Sequence, residues 1–142
     1  MPRTDRISPG GVAFLQEQHL AHFVTLMSDG SPQVTVVWVD VEPDGSHVLI
    51  NTVDGRLKLK NAARDPRVAV SVLDEANSGR FVIVRGSVAE RRTEGAAEHI
   101  DFLSKKYTGR DKYAYNRGPE QRVILRIKPD NVFERGIDAP WR

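Results

Sequence analysis

The segment PQVTVVWVDVEPDGSHVLINTV, residues 32–53, decides the fold of this chain. Its two halves, residues 32–41 and 46–53, are rich in β-branched and aromatic residues that favour strands. Between them lies Asp44-Gly45, a dipeptide typical of tight hairpin turns. The segment therefore predicts two antiparallel strands joined by a short turn.

Further β-rich runs extend this hairpin into a larger sheet. They are residues 19–28, 67–73, 80–90 and 121–129. Asp29-Gly30 separates the first of these runs from the opening segment, which predicts an antiparallel meander. Six antiparallel strands with few helices indicate a mainly β fold, a small barrel with peripheral helices, because closure removes exposed sheet edges.

Two of the strands are apolar on both faces. They are residues 34–39 and 81–84. One face can fill the barrel, but the other must be covered by a helix or by a second subunit, since a broad exposed apolar patch is unusual on a monomer.

Three helices are expected around the strands. Ser8-Pro9 is a favourable start for a first helix that runs to about residue 18. The segment GRLKLKNAARDP, residues 55–66, predicts a short basic helix that closes before its proline. Thr93 is the expected cap of a third helix that ends near Tyr107. Its apolar stripe would be Ala96, Ile100, Leu103 and Tyr107.

The composition indicates one globular domain over residues 1–142. Hydrophobic residues make up 39% of the chain and charged residues 28%, and the formal net charge is +2. The chain contains no cysteine, which excludes disulfides, thiolate metal sites and a cysteine nucleophile. No apolar run is long enough for a signal peptide or a membrane span, so we expect a cytoplasmic protein with no membrane partner.

The basic helix concentrates positive charge at one point of the chain. Arg56 and Lys58 fall at its beginning, where the helix dipole is positive and unpaired N–H groups point outward. Cations there are unfavourable unless an anion joins them, which is typical of a phosphate-binding site. The alternative is a solvated basic surface whose long side chains lie along the barrel.

Four segments together carry a resemblance to a known superfamily. They are GSPQVTVVWVDV (residues 30–41), INTVDGRLKLKNAARDPRVAVSV (50–72), VRGSV (84–88) and YTGRD (107–111). In this order they resemble the split β-barrel flavin and deazaflavin oxidoreductases, which include pyridoxamine phosphate oxidase. The resemblance covers nearly the whole chain and is greater to the actinobacterial branch that uses coenzyme F420. It implies a six-stranded split barrel that forms a homodimer, with the cofactor in a groove between the subunits.

The resemblance also implies which residues bind the cofactor. They are Val36, Val37, Trp38, Asn51, Thr52, Arg56 and Lys58. The two cations would hold the cofactor phosphate, and the asparagine and threonine would add polar contacts. The residues at 36–38 match the strand that runs beside the flavin-like ring. The implied cofactor is coenzyme F420, with FMN as the alternative, and the implied reaction is hydride transfer between the deazaflavin and an unidentified small organic substrate.

The sequence gives less support to a catalytic side chain or a metal site. The deazaflavin itself carries the hydride, so we expect no catalytic side chain. Tyr107, Tyr113 and Tyr115 are the candidate proton donors, although a tyrosine that closes an apolar stripe is more often a packing residue. His19 and His22 lack a third ligand at suitable spacing, so we expect no metal site.

Two other classes of binding protein stay open. A flavin- or haem-binding protein of the same superfamily is one of them. A nucleic-acid-binding barrel is the other, but such sites set aromatic side chains among their cations, and residues 55–67 contain none, so we expect no nucleic-acid partner. The place of Trp141, either loose or folded over an apolar groove, is also open.

Overall fold

The computed structural model of the protein describes residues 5–114 and 121–137. Within these ranges the helices are α1 (Pro9–Leu15), α2 (Leu57–Arg64) and α3 (Ala96–Thr108). The strands are β1 (Ala21–Leu26), β2 (Pro32–Val37), β3 (Asp40–Val41), β4 (Val48–Val53), β5 (Arg67–Leu73), β6 (Phe81–Arg92) and β7 (Arg122–Arg135). All these strands belong to one antiparallel sheet in the order β2-β1-β5-β6-β7-β4-β3. Tyr115 and Trp141 lie outside the described residues.

The prediction of a mainly β split barrel with peripheral helices is confirmed, with seven strands in place of six. The extra strand arises because the predicted run 32–41 is divided into β2 and β3. β2 pairs with β1 and β3 pairs with β4, at opposite ends of the sheet. Only Trp38 and Val39 join these two edge strands, and we call this dipeptide the seam. The curled sheet is therefore bridged at the seam by the chain itself.

The two predicted hairpin turns are confirmed. Gly30 and Gly45 adopt φ angles of +85° and +77°, a region that favours glycine. Gly45 also lies against the segment that precedes α1, because a Cβ at this position would stand 2.2 Å from the carbonyl oxygen of Ile7. The second turn thus fixes the β3–β4 hairpin and positions the chain that leads into α1.

The core fills the concave side of the sheet. Alternation is clear in β1, where Ala21, Phe23 and Thr25 are buried and His22 is exposed. α1 closes one end of the core with Phe14 and Leu15, and its predicted start is confirmed because Ser8 Oγ accepts a hydrogen bond from Gly11 N.

The two longest strands, β6 and β7, pair with each other. β6 has 12 residues and β7 has 14, so β7 extends beyond the predicted run 121–129. Their pairing shifts register between Arg85 and Gly86, where a Cβ on the glycine would lie 2.1 Å from the carbonyl oxygen of Lys128. Only glycine allows this close approach.

The boundaries of α3 differ from the prediction. The helix begins at Ala96 and not just after Thr93, because Gly95 takes a left-handed conformation and occupies the N-cap position. Thr93 instead accepts a turn hydrogen bond from Ala96 N through its carbonyl oxygen. The predicted stripe is otherwise correct, since Ile100 and Leu103 are buried with Ala96. In the described ranges, no helix combines the length and apolar character needed to cross a membrane.

Candidate functional site

A cavity of about 340 Å³ lies beside the seam. All the residues that the sequence predicts as cofactor contacts line it: Val36, Val37, Trp38, Asn51, Thr52, Arg56 and Lys58. The other lining residues are Leu20, Thr35, Val53, Ile100, Leu103, Tyr113 and Arg122. The fold thus brings the predicted set into one place, although its members come from three separate elements.

Each wall of the cavity has a local structural origin. The end of β2 and the seam form the first wall, and β4 forms the second. Directly after β4 the chain turns at Gly55, where φ is +94°, and Arg56 N donates a hydrogen bond to the carbonyl oxygen of Val53. This tight turn places the start of α2 next to the end of β4.

The start of α2 carries positive charge that its own sequence does not balance. Arg56 is the N-cap residue, and a guanidinium has no acceptor atom to offer to the first-turn N–H groups. The first turn contains no acidic residue. Lys58 is half-buried, and burial together with the nearby charges of Arg56 and Arg122 lowers its pKa. An anion bound here would relieve this unfavourable concentration of charge.

Arg122 is a site residue that the sequence analysis missed. It begins β7, is only 8% exposed, and pairs in register with Val53 of β4. Its Cζ atom lies 4.6 Å from the centroid of the Tyr113 ring, and Nη1 donates a 3.4 Å hydrogen bond to Asn51 Oδ1. The sequence shows it only as one polar residue in an alternating strand. The pairing of β4 with β7 is the information that would have identified it.

Two aromatic side chains, Trp38 and Tyr113, also line the cavity. Trp38 stacks on Tyr107 at 5.2 Å between centroids and 5° between planes, and it meets Tyr113 edge-on at 5.8 Å. The hydroxyl of Tyr107 donates to the carbonyl oxygen of His19 and accepts from Val39 N. Burial raises the pKa of Tyr107 to about 12. Tyr107 therefore supports the seam, and among the tyrosines that the structure describes it is Tyr113 that lines the cavity.

Other residues of the basic motif anchor α2 to the sheet. Asn61 is buried, and its Nδ2 donates to Thr25 Oγ1 at 3.1 Å. Arg64 donates through Nη2 to Asn61 Oδ1 and to the carbonyl oxygen of Leu26. Within the described ranges, no group of three His, Cys, Asp or Glu side chains is placed to hold a metal ion.

Comparisons with known proteins identify the family of this chain. The sequence matches the pyridoxamine 5'-phosphate oxidase family over residues 9–136. It is 29% identical to the F420H(2)-dependent biliverdin reductase of Mycobacterium tuberculosis over 130 residues, which span 92% of this chain and 89% of that protein.

Two solved structures are similar in fold and sequence. An F420 reductase gives a TM-score of 0.74 at 26% identity, with 85% of this chain and 94% of that chain covered. A conserved hypothetical protein from Mycobacterium tuberculosis gives a TM-score of 0.68 at 26% identity, with coverages of 87% and 81%. The predicted likeness to the F420-dependent branch is thereby confirmed, and the chain belongs to the pyridoxamine 5'-phosphate oxidase family.

Proposed function

We propose that the protein is a coenzyme F420-dependent oxidoreductase that transfers a hydride between the deazaflavin and a small organic substrate. The proposal rests on one observation, that three cationic side chains and two aromatic side chains line the same cavity. The cations are Arg56, Lys58 and Arg122, and the aromatic residues are Trp38 and Tyr113. A flavin-type cofactor has two parts that complement these residues: an anionic phosphate for the cations and a flat ring for the aromatic side chains.

The lining residues suit such a cofactor. Arg56 offers a planar fork for two phosphate oxygens and Lys58 adds a point charge. Asn51 and Thr52 add neutral polar groups to the same cavity, which residues 36–38 also line. When bound, the deazaflavin supplies the carbon that carries the hydride. The role of the chain is to bind and orient the cofactor, so we propose no catalytic side chain.

We propose coenzyme F420 in preference to FMN. The named function of the Mycobacterium tuberculosis relative and of the similar solved structure supports this choice. Lys60 is exposed on α2 and could meet the anionic polyglutamate tail of that cofactor, whereas Arg64 is already bonded to Leu26 and Asn61. Biliverdin, named for the same relative, is the first substrate to assay.

We also propose that the protein is a cytoplasmic homodimer. The convex side of the sheet carries exposed apolar side chains on β2, β6 and β7, and we call Val34, Val36, Ile83 and Phe133 the outer sheet face. Val34, Val36 and Phe133 are 56%, 55% and 54% exposed. Val36 also lines the cavity, so a second copy seated on this face would border the cofactor. A stable interface of this kind buries on the order of 2,000 Å².

Nucleic-acid binding is the less favoured function of the basic helix. α2 carries two lysines and an arginine but no aromatic side chain on which a base could stack. We therefore propose that its anionic partner is the cofactor alone.

The test is a titration of the purified protein with coenzyme F420 and with FMN, each oxidised and reduced. We expect F420 to bind more tightly than FMN, with an affinity that falls as salt rises. Equal or tighter binding of FMN would favour the flavin-dependent alternative, and binding of neither would remove the proposal. The reduced F420 complex is then mixed with biliverdin, and deazaflavin oxidation is followed by its absorbance.

A further inference from the structure

The side-chain amide of Asn51 is held from behind the cavity by α3. Its Nδ2 donates one proton to the carbonyl oxygen of Ala96 at 2.9 Å and lies 3.1 Å from His99 Nδ1. On the other side, Oδ1 accepts the hydrogen bond from Arg122 Nη1. These contacts occupy both protons of the amide and leave its oxygen with a second lone pair.

This arrangement determines the tautomer of His99. Because Asn51 Nδ2 can only donate, His99 Nδ1 must accept, and the proton of the neutral imidazole is on Nε2. His99 Nε2 lies 2.9 Å from Asp40 Oδ2, which is the acceptor that this tautomer requires. The side chains of Asp40 and His99 are 14% and 11% exposed, so solvent competes little with the bond.

The reversed orientation of the amide is unfavourable at every contact. It would direct the amide N–H groups at the guanidinium of Arg122, and it would set the amide oxygen against the carbonyl oxygen of Ala96. In the neutral imidazole it would also require the proton to be on His99 Nδ1, which removes the donor from Nε2 to Asp40. Asp40, His99 and Asn51 therefore have one mutually consistent set of hydrogen bonds.

We propose that Asp40 and His99 are positioning residues that make Asn51 present a hydrogen-bond acceptor to the cavity. Asp40 and His99 are not among the described residues that border this cavity, so both act through Asn51. The ligand group that suits the free lone pair is an N–H donor. The pyrimidine part of flavin-type rings carries such an imide N–H, so the inference deepens the proposed function and rests on it for the identity of the ligand.

Substitutions at His99 separate this role from simple packing. In His99→Asn the amide oxygen can stand close to the position of Nδ1 and accept from Asn51, whereas His99→Leu has no acceptor. We expect His99→Leu to raise the dissociation constant of coenzyme F420 about tenfold, as for the loss of a buried hydrogen bond, and His99→Asn to recover most of the affinity. Glu98→Gln, on the exposed side of the same helix, is the matched control and should bind as the parent does.

A second variant tests the hydrogen bond between Asp40 and His99 without altering the imidazole. Asp40→Asn keeps the size of the side chain but can donate to His99 Nε2, which permits the opposite tautomer. We expect F420 binding to weaken several-fold in Asp40→Asn, with a melting temperature close to that of the parent. If His99→Leu does not fold, this variant still decides the question.

Nitrogen chemical shifts of His99 in the cofactor-free protein give a readout that does not depend on the proposed function. We expect the spectrum of the neutral Nε2–H tautomer in the parent and a mixture of tautomers in Asp40→Asn. An Nδ1–H tautomer in the parent, or unchanged F420 binding in both His99→Leu and Asp40→Asn, would overturn the inference. A parent that shows the Nε2–H tautomer but binds no F420 would instead refute the proposed cofactor while supporting the fixed orientation of Asn51.

Discussion

The guanidinium of Arg122 lies against the ring of Tyr113, with 4.6 Å between Cζ and the ring centroid. This contact holds a third cation beside Arg56 and Lys58 on the same cavity. The three residues come from the N-cap of α2, its first turn and the start of β7. Positive charges brought together in this way repel one another, and burial together with this repulsion lowers the pKa of Lys58. An anion bound beside these three cations would relieve the repulsion.

Replacement of either first-turn cation should weaken cofactor binding. A charge-assisted hydrogen bond contributes roughly 1.5 to 3 kcal/mol, so Arg56→Ala and Lys58→Ala should each raise the dissociation constant of F420 about tenfold or more. Hydride transfer from the saturated complex should stay within a few-fold of the parent, because the phosphate only positions the cofactor. Fluorescence titration and single-turnover kinetics measure the two effects separately.

Lys105→Ala is the control for loss of one positive charge. Lys105 is an exposed residue of α3, so the variant should bind F420 as the parent does. The cofactor-free Arg56→Ala and Lys58→Ala proteins should melt at the parental temperature or slightly above it, because local repulsion is removed, while stabilisation by F420 is reduced. Parental affinity in both variants would show that the basic helix is only a solvated surface.

The ring of Tyr113 should matter more than its hydroxyl. Tyr113→Phe keeps the face on which Arg122 lies, so we expect parental F420 affinity and a hydride-transfer rate within a few-fold of the parent. Tyr113→Leu removes the ring, and we expect F420 affinity to fall several-fold. A large loss of turnover in Tyr113→Phe with unchanged affinity would instead identify Tyr113 as a proton donor to the substrate.

A charge on the outer sheet face should dissociate the proposed homodimer. Ile83 lies on this face in register with Phe133, so Ile83→Glu would place a carboxylate in the centre of the interface. We expect a monomer by sedimentation velocity at micromolar concentration, together with weaker F420 binding. Leu57→Gln, at an exposed apolar residue of α2, is the control and should remain dimeric. A monomeric parent would remove the proposal.

Lys106 and Tyr107 should give the free energy of unfolding a maximum near pH 10. Lys106 Nζ donates to the carbonyl oxygens of Leu15 and Val39, and burial lowers its pKa from 10.5 to about 8. Because the unfolded chain then binds more protons than the folded one, stability should rise from about pH 8 towards pH 10. Burial raises the pKa of Tyr107 from 10.0 to about 12, so above pH 10 the unfolded chain loses its proton first and stability should fall.

Urea unfolding of single variants separates these two effects. Lys106→Met should lose the rise between pH 8 and 10, and Tyr107→Phe should lose the fall above pH 10, each measured relative to the parent. Parallel pH profiles for the parent and Lys106→Met would contradict the assignment of the rise to Lys106.

Local sequence patterns are sufficient to predict most of the fold. The turn glycines at 30 and 45 and the alternation in β1 and β5 are properties of neighbouring residues, so they can be recognised without a partner strand. The interruption at Trp38 and Val39 could not be recognised, because the β-rich run 32–41 contains no turn signal, although its pairing partner changes from β1 for residues 32–37 to β4 for residues 40–41. α3 begins late because Gly95 adopts a positive φ angle, which the preference of Thr93 for caps does not reveal.

The candidate site was predictable where the residues lie near one another in the sequence. Arg56 and Lys58 follow Asn51 and Thr52 within one strand-turn-helix unit, which the motif identifies as a block. Arg122 reaches the cavity through the pairing of β7 with β4, and His99 reaches Asn51 through the packing of α3 on β4. Neither residue lies in a distinctive local sequence pattern, so the sequence alone does not identify either one as a residue of the site.

The seam also has a consequence for the order in which the protein folds. The hairpins β1–β2 and β3–β4 join strands that are close in sequence, so each can form early. β3 and β4 become part of the sheet only when β7, the last described strand, inserts between β6 and β4. Because the cavity has walls from β2, β4, α2 and β7, it takes shape only after this final insertion. Cofactor binding would thus report the completion of folding, and a nascent chain that lacked β7 would have the hairpins but no site.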